Sequence, residues 1–317
     1  MRSLSSLSLP SAAAASSAVL PLTFALGALI GTGTVLGKGV MLAGVSPLAL
    51  LLWLQAGTAA GLLVWMTTAA EPLPRKRSHW RYGALLGLVS LAGPSAIGFV
   101  VMPRIGAGTY AAMFTLSPLC TFALRWTLVR TYPGHTRLAG LLVGGLGAWG
   151  LLWIGLHLAP GQGRWLALAL LTPLLLATGN LVRERLRPPD ASDLQLAVVQ
   201  PLTQLAWLVP LCAATGVTLA WPHAPWTSLD GILLAQVALS IASAPLFFRL
   251  QARADAIALS QIGYVAVVAG SAVAALLYRE TPSVWMTLAL ALLFAGMRLV
   301  GRGPVPSRPS KETFHAQ

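Results

Sequence analysis

At 317 residues the chain is long enough for a large core, yet only 9% of it is charged against 56% hydrophobic, and its mean hydropathy is +0.75. A soluble domain carries roughly a quarter charged residues, so there is too little polar surface here to face water. The net charge of +13 does not mark a nucleic-acid binder, because the basic residues fall in short gaps between apolar blocks, with no basic face and no groove-reading motif.

In chain order, residues 1–19 come first. Arg2 invites a signal-peptide reading, but serines and Pro10 break the apolar stretch, so a disordered leader is expected rather than a cleaved signal. Apolar blocks near 20 residues long follow, the length that crosses roughly 30 Å of hydrocarbon. Proline, glycine and charge separate them into ten candidate helices, at 20–43, 47–69, 81–102, 107–128, 137–158, 164–184, 193–216, 229–250, 255–277 and 283–301. Prolines 94, 118, 173, 201, 210 and 245 fall inside these spans and predict kinks. The tail 302–317, rich in proline and polar residues, is expected to be disordered. The expected fold is an all-α integral membrane bundle.

Lysine and arginine orient it. With the N-terminus cytoplasmic, all but Lys38, Arg104, Arg164 and Arg279 of the 21 basic residues lie on or next to the cytoplasmic side. The uncharged VTLAWPHAPWTS segment (217–228) suits an external interface. Both termini are expected inside a plasma (inner) membrane.

The two halves also echo one another. Arg130 and Arg279, Pro133 and Pro282, and Gly147 and Gly296 fall at one fixed offset close to half the chain. Five spans per half is an odd number, so the second half would enter the membrane from the opposite face. This predicts two inverted five-helix repeats, 20–158 and 164–301, the plan of secondary transporters with a site between the halves.

The stretch SAPLFFRLQARADAIALSQIGY, then LLYRETPS and a closing LLFAGMRLV, resembles in order and spacing the EamA branch of the drug/metabolite transporter superfamily. Tyr278, Arg279 and Glu280 look like a degraded form of that family's helix-ending glycine–glutamate–arginine motif. Ser117–Pro118–Leu119 matches an element its members show, and Lys38 falls where many carry a lysine. The first half has Arg130–Thr131 in place of the family's glutamate. Over roughly residues 20–301 the resemblance implies ten helices, two repeats, cytoplasmic termini and transport of small metabolites without ATP, export being the commoner role in that family.

The chemistry-bearing residues narrow this. No GxxxxGK[ST] phosphate loop occurs. The histidines are loop-side and never paired at i, i+4, so neither a metal site nor another cofactor is expected. Cys120 and Cys212 read as buried hydrophobes. No Ser–His–Asp or Cys–His set falls at one membrane depth, so no enzymatic role is expected. All eight Asp and Glu lie in loops, tails or near helix ends, which predicts no carboxylate relay at the midplane.

Midspan polar residues remain as the candidate substrate site: Lys38, Ser95, Tyr110, Asn180, Gln261 and Tyr264. Gln261 and Tyr264 are three apart and share a helix face. Asn180 belongs to the sixth span, which with the ninth faces the cavity in the resembled family. Lys38 either attracts a substrate carboxylate or reaches past Gly37 and Gly39 to the membrane edge. The function expected is secondary transport of small organic metabolites such as amino acids. The alternative is a non-transporting membrane assembly or lipid-handling subunit. The expected partners are a small-molecule substrate and the lipid bilayer, with a homodimer left open.

Overall fold

In hydrocarbon every backbone amide and carbonyl must be satisfied within the protein, which leaves so apolar a chain only helices or a closed barrel. The computed structural model describes residues 12–105, 110, 113–129, 134–157, 161–217, 227–279 and 284–302, and all regular structure among them is helical. In order the elements are α1 (Ala12–Leu42), α2 (Pro47–Thr68), α3 (Arg77–Gly87), a π-helical turn (Leu88–Ala92), α4 (Gly93–Ile105), α5 (Ser117–Val129) and α6 (His135–His157). There follow α7 (Gly163–Ala169), α8 (Leu171–Leu186), α9 (Asp193–Thr215), α10 (Ser228–Arg253), α11 (Ala256–Ser260), α12 (Ile262–Tyr278) and α13 (Val284–Arg302).

Seven stretches are long and apolar enough to cross a membrane: Val19–Leu42, Pro47–Thr68, Arg77–Ile105, Gly163–Leu186, Asp193–Thr215, Ser228–Arg253 and Ala256–Tyr278. They make a multi-pass helical membrane protein, and large apolar side chains such as Leu142, Leu146, Trp149 and Trp153 stand exposed on its surface. Ten spans were expected from the sequence. The remaining three correspond to α5, α6 and α13, which are helical but border residues outside the described set. Helix α1 reaches back to Ala12, into the segment expected as leader. The rest of that leader and the tail from 303 lie outside the described residues.

Several expected spans are broken, and each break has a local cause. Pro94 has no amide to give the Ser90 carbonyl. The chain widens into the π-helical turn just before it, and the Gly93 amide bonds back five residues to the Leu88 carbonyl. Pro173 likewise sits just beyond the stop at Leu170 between α7 and α8. The ninth expected span breaks at Gln261, whose amide bonds three residues back to the Ala258 carbonyl, at 3.2 Å. The fourth breaks at the Thr115–Leu116 turn ahead of Pro118, where the Leu116 amide bonds to Met113.

Glycines set the closest packing. A Cβ on Gly296 of α13 would lie 2.4 Å from the Gly144 backbone nitrogen of α6, and one on Gly140 would lie 2.7 Å from the Gly296 carbonyl. Gly27 and Gly31 of α1 meet Val265, Ala266 and Gly270 of α12 in the same way, and Gly57 and Gly61 of α2 meet Val237 and Ile241 of α10. Small residues allow such contact where the hydrophobic effect between helices is absent. The pairings also map onto one another when the halves are exchanged. Helix α1 packs on α10 and α12, while α8 packs on α4 and α5. Helix α2 packs on α10, as α9 packs on α3; α2–α9 and α6–α13 pair across the middle.

Candidate functional site

Polar groups in this bundle collect in three places. The first lies where α5 and α8 end and α6 and α11 begin. Asp255 caps α11, its Oδ1 accepting from the Ala258 amide at 2.8 Å. Its other oxygen accepts from Arg125 Nη1 at 2.9 Å and from Arg137 Nη1. Arg125 Nη2 also pairs with Glu184 Oε1 at 3.0 Å, and Glu184 Oε2 accepts from the Ala256 amide at 3.2 Å. All four side chains are at most 10% exposed. Both arginines come from the first half of the chain and both carboxylates from the second. Burial alone would push the Asp255 carboxyl up. The charge of Arg137, the Ala258 amide and Arg125 together outweigh it and hold the group below the ordinary aspartate range.

Immediately inside this network lies a second group. Asn180 Nδ2 donates to Thr121 Oγ1 at 3.2 Å, and its Oδ1 accepts from Arg183 Nη1 at 3.3 Å. Gln251 Nε2 donates to the Tyr82 hydroxyl and to the Arg183 carbonyl oxygen, the latter at 3.1 Å. The Arg183 guanidinium stands over the Phe247 ring, 5.1 Å from its centroid. Arg183 Nε, Ser90 Oγ and Gln251 Oε1 are buried without hydrogen-bond partners among the described residues.

The third group surrounds the break in the ninth span. Gln261 and Tyr264 are 3% and 1% exposed. Both polar atoms of the Gln261 amide and the Tyr264 hydroxyl are buried with no hydrogen-bond partner among the described residues. Tyr264 packs with Ala148, Leu293 and Phe24, and the missing side chain of Gly144 makes space for its ring.

The six residues expected from the sequence therefore do not form one cluster. Gln261 and Tyr264 stay together. Asn180 joins Arg183. Tyr110 donates its hydroxyl to the Pro94 carbonyl and lies 3.0 Å from Thr172 Oγ1, which makes it a strut beside the half-buried Ser95.

Lys38 is at the opposite end of the bundle, its Nζ 5.1 Å from the Tyr278 ring centroid. The flanking glycines do not make room for the lysine stem. A Cβ on Gly37 would come 2.7 Å from Gln236 Nε2, and one on Gly39 would come 2.7 Å from the Tyr278 hydroxyl, so they admit side chains from the second half. Gln236 Nε2 donates to the Gly33 carbonyl at 2.9 Å and Tyr278 to that of Val35 at 3.3 Å. Arg104 and Arg164 lie 4.0 and 4.8 Å from the Trp165 ring centroid.

Position at a helix end does not keep Glu184 and Asp255 in water, because four helices converge on them. His79 is not loop-side either. It is buried in the first turn of α3, its Nε2 3.5 Å from Asp190. The sequence did hold a signal for the network: Arg125 lies within an apolar block, and two carboxylates border apolar blocks of the other half. Treating every arginine as a topology marker hides that complementarity.

No family model and no curated protein sequence matches the chain. Solved structures do. One crystal structure of a protein superposes with a TM-score of 0.71 over 90% of this chain and 97% of the other, at 17% identity. At that identity the likeness speaks to a common fold alone.

Proposed function

We propose that the chain is a secondary transporter of small organic metabolites, of the EamA type within the drug/metabolite transporters. It would work by alternating access between two inverted five-helix repeats. The reading rests above all on Gln261 and Tyr264. Polar atoms buried in a membrane core without protein partners cost free energy, and a polar solute reaching the break in the ninth span would satisfy them. Broken helices at a binding site are the common device of secondary transporters, and the fourth expected span is broken too, at Thr115–Leu116. The helix pairings that map onto one another on exchange of the halves support the inverted repeat.

On this reading the ion network closes one end of the pathway. Each half contributes one sign of charge, so opening that end pulls the halves apart and transfers the charges to water. The basic excess there makes it the cytoplasmic end. Export is the direction implied by the family resemblance.

The test is a screen of the purified protein for thermal stabilisation by soluble metabolites, followed by counterflow in proteoliposomes. A transported compound is expected, with its apparent affinity reduced about tenfold or more by Gln261→Leu and by Tyr264→Phe. Stabilisation by lipids alone, with no soluble compound bound or moved, would replace this reading with a lipid-handling subunit.

A further inference from the structure

We propose that Arg183, with Ser90 and Gln251, forms a subsite for the carboxylate of a small organic monoanion; this deepens the transport reading and rests on it. Arg183 is 8% exposed, and a guanidinium stays protonated in a protein. A buried charge of that kind needs a counter-charge. Among the described residues none pairs with it: Glu184, its neighbour in sequence, is taken by Arg125, and Asp255 by Arg125 and Arg137. The buried layer thus holds three arginines against two carboxylates, an excess of one positive charge. The Phe247 ring and the Asn180 amide soften that excess without cancelling it.

The surroundings add further unmet polar atoms to the unpaired charge. Ser90 on the π-helical turn and Gln251 on α10 each bring a buried, unmet polar atom to the region. Gly179 faces them with no side chain. A Cβ there would lie 2.1 Å from Ser90 Oγ and 3.2 Å from Arg183 Nη1. The Ser90 hydroxyl therefore occupies the place a side chain at 179 would take, and only glycine there lets the serine and the arginine come this near each other. A guanidinium fork binds a carboxylate through two parallel hydrogen bonds, and the single unit of excess charge favours a monoanion over a phosphate, which carries nearly two. Tyr82, Thr121 and Asn180 complete a polar wall drawn from α3, α5 and α8. The position differs from that of Lys38, which is at the far end of the bundle beside Tyr278.

The protein, purified in detergent, is melted with small monocarboxylates from acetate to phenylacetate. Each is paired with its own amide, and inorganic phosphate and chloride are run alongside. At least one acid is expected to raise the melting temperature where its amide does not. Arg183→Gln should weaken that binding about tenfold or more, yet melt no lower than wild type without ligand, because it removes an uncompensated buried charge. Arg183→Lys should retain part of the shift, having the charge without the fork. Should Arg183→Gln not fold, the comparison of acid with amide on wild type and on Arg183→Lys decides.

Amides that stabilise wild type as well as the acids do would overturn the subsite and leave the transport reading intact. So would an undiminished acid shift in Arg183→Gln, or a shift reproduced by phosphate or chloride. If no acid of the panel is bound while another soluble metabolite is bound or moved into proteoliposomes, the subsite falls alone; if no soluble metabolite of any kind is bound or moved, the transport reading falls and the subsite with it.

Discussion

Asp255 accepts from two arginines and from the amide that begins α11, so its ionised form belongs to the folded state. A carboxyl held below its ordinary value contributes stability that is complete above the unfolded value of 3.8 and is lost as pH falls through the lower, folded one. The melting temperature of the purified protein should therefore stay nearly flat between about pH 5 and 7. It should drop steeply below about pH 4, and more steeply than in Asp255→Asn. Equal slopes would show that the network does not carry the acid sensitivity. Arg279 makes a second case. It ends α12 at φ 53°, in the left-handed region, which costs an L-residue roughly 1–2 kcal/mol. Arg279→Gly should raise stability by about 0.5–1 kcal/mol, read as a higher melting temperature. Nothing in the linear sequence marks Arg279 as strained. The network left a hint in Arg125, which lies within an apolar block, but nothing in a linear chain says that Arg125 and Asp255 share a layer.

Helices show the same division. Their existence and approximate ends follow from apolar length, as Pro47–Thr68 and Asp193–Thr215 show. Proline positions mark where the third and sixth spans bend, but the form of each bend depends on which carbonyl is left over. The break at Gln261 carries no proline, only Gly263 two residues on, and its form is visible only in three dimensions. Pairing between helices was partly readable from glycine spacing, since Gly140 and Gly144 do lie against another helix. The partner glycine, Gly296, was singled out only as a repeat marker. Gly296→Ala drives a methyl into the α6 backbone, which cannot yield as a flexible side chain can. The expected loss is about 1–3 kcal/mol, measured by thermal unfolding in detergent. Gly163→Ala, where a methyl meets open space, serves as the control.

For the whole molecule, on the transport reading proposed above, the question is what holds one end shut. Arg125, Arg137, Glu184 and Asp255 tie the two halves together where α5, α6, α8 and α11 meet, and beyond them Arg187 pairs with Asp193 at 2.7 Å. A carrier working by alternating access needs such a seal to be strong enough to close and weak enough to break. Removing one member of a buried pair costs about 3–5 kcal/mol. About 3 kcal/mol suffices to bring a state held near 1 in 100 up to parity. Asp255→Asn strands Arg137, and moving the halves apart relieves it by returning the charge to water, so this variant should populate the opened state. Cys120 reports on that state, because it lies in α5, in the fourth expected span and within electrostatic reach of Tyr264, and is a free thiol. In a Cys212→Ser background, a charged methanethiosulfonate reagent should label Cys120 severalfold faster in Asp255→Asn than in the parent, and a transported compound should slow it. The reagent's charge keeps it out of lipid, so faster labelling means water has entered through the protein. If Asp255→Asn melts lower but labels at the parental rate, the network is a static tie and the closing of this end must be sought elsewhere in the bundle.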